Sequence, residues 1–153
     1  TVEYIWGYGD NGTYVELCEF PALTCYDNGV IEAEWSHNQG LAGEFWPYFL
    51  YRYNAETDQY EICGGADAWD KSVAKTKEQG DVFPDDIDAD QDGVVYYLLP
   101  AGWDGNYDME PVDGAKYRTW RESFLEGASE MDDIWFWDLK EENIAILGAE
   151  KPD

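Results

Sequence analysis

The chain has 153 residues, a length that favours one domain, since chains usually divide only beyond about 250 residues. Hydrophobic residues make up 44% and aromatic residues 17%, enough apolar surface to argue against a disordered chain. Nine Lys and Arg against 34 Asp and Glu give a net charge of −25, which repels phosphate backbones and anionic lipids. We therefore expect neither nucleic acid nor a membrane surface as partner. No apolar run approaches the roughly 20 residues that span a bilayer.

The first 63 residues indicate strands separated by turns. Asp10-Asn11-Gly12 and Asp27-Asn28-Gly29 place glycine where a tight turn needs a positive φ. The second motif predicts a β-hairpin between the β-favouring runs 22–26 and 30–35. Alternation within the second run predicts one buried face and one face in water, with Glu32 on the side facing water.

Residues 44–54 form an unusually aromatic segment in which both strand faces carry large rings. This pattern predicts a strand that is covered on both sides. Pro47 cannot donate a ladder hydrogen bond, so the regular strand is expected to begin after it. A turn at 54–58 then leads into a strand at 59–63, which completes a second hairpin.

The second half of the chain predicts a loop, a strand and a helix. Residues 70–92 are polar and then acidic, which predicts a long loop before a strand at Val94–Leu99. Asp113 is suited to cap a helix that ends at Gly127. The apolar residues with helical spacing in that segment are Tyr117, Trp120, Phe124 and Leu125. Residues 141–147 suit a short C-terminal helix or an edge strand. The predicted fold is α+β: a predominantly antiparallel hairpin meander with one packed amphipathic helix.

An acidic motif supplies the strongest chemical signal. Asp88, Asp90 and Asp92 alternate before Gly93, a spacing that lets a tightly wound loop direct carboxylate oxygens at one hard cation. The carbonyl of Val94 is a candidate fourth ligand. We therefore predict a calcium site with these ligands.

Two observations qualify the calcium prediction. An EF-hand needs a bidentate Glu at the twelfth loop position, where this chain has Leu99, so a complete EF-hand is excluded. Asp85 or Asp86 offers a weaker additional ligand. The alternative is a solvated acidic turn in which the Asp side chains satisfy nearby backbone amides.

The cysteine pattern leaves two states open. Cys18, Cys25 and Cys63, with the single histidine His37, lack the paired spacing of a zinc site. One Cys18–Cys25 disulfide with Cys63 as a thiol is one interpretation, and three buried thiols are the other.

Tryptophans beside carboxylates predict a candidate ligand surface. Aromatic faces stack on sugar rings or extended peptides, and neighbouring carboxylates accept hydrogen bonds from hydroxyl groups. The candidate residues are Trp103, Asp104, Trp135 and Trp137. Core packing is the alternative for Trp135 and Trp137, and their strand-like alternation favours it.

Three segments within residues 1–100 resemble a broad group of uncharacterised secreted proteins and lipoproteins of Gram-positive anaerobic bacteria. They are Asp10-Asn11-Gly12 leading to Glu16-Leu17, the hairpin at 23–30, and the Tyr-rich segment 51–60. The first loop departs from the group's pattern, since it has fewer acidic residues and one extra residue before Glu16. The resemblance implies export and hairpin architecture, and it carries no reaction or catalytic residues.

These observations lead to competing functional hypotheses. The first is a secreted or cell-surface binding module, stabilised by calcium, whose partner is a carbohydrate or a protein. A carbohydrate-active hydrolase with paired carboxylates is the enzymatic alternative, although 34 acidic residues make any chosen pair uninformative. A third hypothesis is a scaffold that attracts a basic partner through its negative field.

Overall fold

The strands that the structure describes form two antiparallel sheets, and the described helix packs on the larger sheet. A computed structural model describes residues 3–8, 14–20, 22–34, 40–73 and 82–131, with the backbone alone described at 3–8 and 14–20. The elements are β1 (Glu3–Tyr8), β2 (Tyr14–Phe20), β3 (Leu23–Cys25), β4 (Val30–Glu34), β5 (Tyr48–Asn54), β6 (Gln59–Asp70), β7 (Val94–Leu99) and α1 (Gly114–Leu125). Strands β1 and β2 pair with each other, and β3 to β7 form a five-stranded sheet in chain order. The predicted α+β class with an antiparallel meander is confirmed. The helix or strand predicted at 141–147 lies outside the described residues.

The hairpin of β3 and β4 forms at the predicted turn. Gly29 has a φ of +82°, and the Oδ1 of Asn28 accepts a hydrogen bond from the Val30 amide at 3.1 Å. The amide group of Asn28 also donates to the carbonyl of Phe124 in α1 at 2.8 Å. The same short turn therefore directs the chain and ties the sheet to the helix.

Strand β5 begins directly after Pro47, as predicted, but β6 is longer than predicted. The predicted strand ends at Cys63, before two glycines, a residue type that weakens strand interiors. The strand instead continues to Asp70. A Cβ added at Gly64 would lie 2.9 Å from the Phe124 ring, so the missing side chain lets the helix approach the sheet.

Helix α1 begins and ends where the sequence predicts. The Oδ1 of Asp113 accepts a hydrogen bond from the Lys116 amide at 3.0 Å, which satisfies one unpaired donor of the first turn. After the helix, Gly127 adopts a φ of +72°. The predicted apolar face packs on a core of Val30, Tyr48, Leu50 and Ala66. Among the described residues, no helix is both long enough and apolar enough to cross a membrane.

The prediction that Glu32 faces water is wrong, because α1 covers its side of the sheet. The Glu32 side chain is only 12% exposed, and its Oε2 lies 2.7 Å from Nη2 of Arg121. The hydroxyl of Tyr26 donates to the same oxygen at 3.2 Å. A charged pair thus joins strand β4 to the helix, a contact that strand alternation alone does not indicate.

Candidate metal centre

The acidic motif lies in the segment that leads into β7. Residues 71–73 and 82–93 contain turns and bends without helix or strand, whereas 74–81 lie outside the described residues. Phe83 is buried against Trp69 of β6, with ring centroids 5.4 Å apart, and both pack on Val95. This apolar contact attaches the loop to the sheet just before the acidic motif begins.

The three motif aspartates converge in space. One carboxylate oxygen from each of Asp88, Asp90 and Asp92 lies within 4.8 Å of the others. Two residues with positive φ wind the loop tightly, Gln91 at +59° and Gly93 at +83°. Asp90 and Asp92 are exposed, while Asp88 is only 7% exposed.

Backbone amides engage one oxygen of Asp88 and one of Asp92. The Oδ2 of Asp88 accepts from the Gly93 amide at 3.0 Å, and the Oδ1 of Asp92 accepts from the Val94 amide at 2.8 Å. These contacts are the local amide bonds expected of an acidic turn. They leave the Oδ1 of Asp88 buried and, within the part of the chain that the structure describes, without a hydrogen-bond partner. A buried carboxylate oxygen with no partner is costly, so this atom needs a cation or another donor.

The ladder geometry directs the Val94 carbonyl away from β6. Val94 lies opposite Asp70, and the flanking Lys71 amide donates to the Gly93 carbonyl at 2.9 Å. In an antiparallel ladder this arrangement makes Val94 and Asp70 a non-hydrogen-bonded pair, so both polar backbone groups of Val94 point to the outer edge of β7. At that edge the Val94 amide donates a hydrogen bond to the Oδ1 of Asp92. The carbonyl thus points to the same edge.

A cleft of about 340 Å³ opens beside the carboxylates. Its lining consists of Lys71, Asp85, Asp88, Gln91, Asp92 and Gly93. Asp85, a weaker ligand candidate from the sequence, forms an ion pair with the ammonium group of Lys71. The cleft gives a small cation a path to Asp88 and Asp92, while Lys71 already neutralises part of the charge of Asp85.

Helix α1 adds a residue that the motif does not reveal. The Nη2 of Arg118 lies 4.0 Å from the Oδ2 of Asp90, and the Arg118 side chain is 63% exposed. The first helical residue, Gly114, lies beside the same carboxylate. A Cβ built on Gly114 would lie 3.2 Å from the Oδ2 of Asp90. No local sequence signal links position 90 to position 118, because the chain segment after β7 creates the contact.

The predicted ligand surface is described in part. The Trp103 ring packs 5.5 Å from Phe49 and 5.1 Å from Tyr107, and its Nε1 donates to the Asn106 carbonyl at 2.7 Å. The Oδ1 of Asp104 accepts from the Asn106 amide at 3.2 Å. These contacts fix the turn after β7. Trp135 and Trp137 lie outside the described residues, so a surface that includes them stays a prediction.

The partly buried carboxyl group of Asp67 bonds to Tyr107, which packs on Trp103, and no sequence pattern indicated this contact. The hydroxyl of Tyr107 donates to the Oδ2 of Asp67 at 2.9 Å, and the Ala68 amide donates to the Oδ1 at 2.7 Å. Burial raises the pKa of Asp67, an effect that the two hydrogen bonds oppose. Alternation along β6 brings Asp67 to this side of the sheet, but its partner Tyr107 comes from a distant turn.

The cysteine alternatives stay open. Cys63 is a thiol, and its Sγ–H donates to the carbonyl of Leu50 at 3.3 Å. Burial raises the pKa of this thiol, which disfavours the reactive thiolate. The side chain of Cys18 lies outside the described residues, so the Cys18–Cys25 disulfide stays a prediction.

Comparison of the chain with models of protein families, with curated proteins and with solved structures found no significant match.

Proposed function

We propose that the protein is an extracytoplasmic binding module whose fold is stabilised by a calcium ion. The ion is held by carboxylates of Asp88, Asp90 and Asp92 and by the carbonyl of Val94. One observation carries this proposal: Asp88, one of three aspartates whose carboxylates converge, has its Oδ1 buried with no hydrogen-bond partner among the described residues. Such a group is strained by mutual repulsion, and a divalent cation relieves both the repulsion and the missing contact.

The donor chemistry favours calcium over other common metals. All candidate ligands are oxygens, which suit hard cations, whereas zinc prefers Cys and His. Calcium accepts about six to eight oxygens in flexible geometry, so three carboxylates, one carbonyl and water can complete its shell. Magnesium demands a nearly ideal octahedron and keeps more of its water. The exposed positions of Asp90 and Asp92 leave room for the water ligands that a calcium site of modest affinity uses.

Calcium dependence is compatible with the proposed location. Extracellular calcium modules work at dissociation constants of about 10⁻⁴–10⁻³ M, values suited to the higher calcium concentration outside cells. The resemblance to secreted proteins in the first 100 residues supports the same location. The predicted ligand classes of the module are a carbohydrate and a protein.

The test is thermal unfolding in excess EDTA and again with added calcium. A ligand that binds only the folded state raises the apparent stability by mass action, about 2.7 kcal/mol at 100 times its dissociation constant. We expect calcium to raise the Tm of the parent protein and to leave Asp88→Asn unchanged. In EDTA, Asp88→Asn should equal or exceed the parent in Tm, because the amide still accepts from Gly93 while the buried charge is gone.

The matched control is Glu56→Gln, which removes one carboxylate from an exposed turn away from the motif. It should keep the full calcium response. Magnesium at the same concentration corrects for general charge screening. An equal response to magnesium and calcium, or an unchanged calcium response in Asp88→Asn, would contradict the proposed site.

A further inference from the structure

We propose that Arg118 sets the calcium affinity of this site by competing with the metal ion for the carboxylate of Asp90. The inference rests on the proposed calcium site and adds a residue that lies outside the binding loop. It starts from the 4.0 Å separation between Nη2 of Arg118 and Oδ2 of Asp90. At this distance the guanidinium already neutralises part of the charge that the ion would use.

The packing at the start of α1 keeps the two side chains together. Arg118 follows Gly114 by four residues, so both lie on one face of the helix. A Cβ at Gly114 would lie 3.1 Å from Nη1 of Arg118 and 3.2 Å from Oδ2 of Asp90. The absent side chain therefore leaves room for the carboxylate and the guanidinium to meet over the helix backbone.

The helix itself cannot follow the ion. Tyr117, next to Arg118, stacks on Tyr96 of β7 with centroids 4.2 Å apart and planes 4° from parallel. Trp120 and Phe124 pack on the core. These contacts hold α1 on the sheet, whereas the exposed Arg118 side chain has room to move away when a cation enters. Calcium binding then costs the ion pair between Arg118 and Asp90, together with the remaining repulsion between the guanidinium and the calcium ion.

Solvent screening limits the effect of Arg118 on the calcium dissociation constant. An exposed ion pair contributes little, which corresponds to a change in dissociation constant of about two- to fivefold. The effect should be largest at low ionic strength. It should nearly vanish at about 1 M salt, where the screening length is about 3 Å.

Calorimetric titration of calcium into metal-free protein tests the inference. The variants are Arg118→Gln, which removes the charge, and Arg118→Lys, which keeps it. Lys116→Gln is the matched control, because it removes one positive charge from another face of the same helix.

We expect Arg118→Gln to bind calcium about two- to fivefold more tightly than the parent at low salt. Arg118→Lys should remain close to the parent, and Lys116→Gln should change less than Arg118→Gln. Far-UV circular dichroism checks that each variant retains α1.

The outcomes separate the two proposals. If the parent binds calcium and Arg118→Gln binds with equal or lower affinity, the competition is refuted while the calcium site stands. If Arg118→Gln and Lys116→Gln tighten binding equally, the effect belongs to net charge and the specific role of Arg118 is refuted. If neither the parent nor any variant binds calcium, both proposals fail.

Discussion

At the scale of single residues, burial changes the role of an ordinary side chain. Asp88 and Asp67 are two among 34 acidic residues, and nothing in their own identity distinguishes them. Asp88 leaves one oxygen buried without a partner. Asp67 is only partly buried, and the Tyr107 hydroxyl and the Ala68 amide each donate to one of its oxygens. The environment of Asp88 favours a bound cation, whereas the environment of Asp67 favours the protonated carboxyl group.

The pH dependence of stability should reveal Asp67. Burial raises its folded-state pKa above the ordinary value of 3.8, so the folded protein holds this proton more strongly than the unfolded chain. Its favourable contribution is complete below the ordinary pKa and is lost as the pH rises through the folded-state pKa. Asp67→Asn does not titrate, so its unfolding free energy relative to the parent should increase as the pH rises through this window.

Urea unfolding at a series of pH values in EDTA measures this difference. Glu56→Gln, which removes one carboxylate from an exposed turn, controls for the change in net charge. A relative stability of Asp67→Asn that falls with rising pH would refute the assigned environment.

At the scale of elements, helix α1 connects the candidate metal loop to the core. Its first turn lies beside Asp90, and its apolar face covers the central strands. Arg121 in the middle of the helix pairs with Glu32 of β4. A disturbance at the start of the helix should therefore affect both the stability of the domain and the position of Arg118.

Removal of the helix cap tests this connection. The Asp113 side chain accepts from the Lys116 amide, and loss of an N-cap typically costs about 1 kcal/mol. We expect Asp113→Ala to lower the unfolding free energy by about that amount, measured by urea unfolding in EDTA. Asp113→Ser, which keeps a capping oxygen, should restore most of the stability. Equal losses in the two variants would show that the charge of Asp113, rather than its cap, is what matters.

At the scale of the whole molecule, the net charge of −25 opposes compaction. Carboxylates are brought closer by folding, so mutual repulsion is stronger in the folded state than in the extended chain. The described cationic side chains are partly committed to local pairs, such as Lys71 with Asp85 and Arg121 with Glu32. A neutralising cation therefore has a larger effect here than in a protein of balanced charge.

Monovalent salt should stabilise the metal-free protein. Raising the ionic strength from about 0.01 M to 0.15 M shortens the screening length from about 30 Å to about 8 Å, which weakens repulsion between exposed carboxylates. We expect the Tm in EDTA to increase over this range. Choline chloride should act like sodium chloride, because the effect is screening rather than binding at the three aspartates. A Tm that is constant or decreasing in both salts would contradict dominant self-repulsion.

The sequence by itself determined the features that depend on neighbouring residues. The turn at Asn28-Gly29, the limits of β7, the Asp113 cap and the acidic loop each follow from residue preferences within a few positions. The tertiary structure alone decided which of these features meet. The Glu32–Arg121 pair and the approach of Arg118 to Asp90 join segments that are distant in the chain. Such contacts depend on how the sheet and the helix pack, and local periodicity contains no information about that packing.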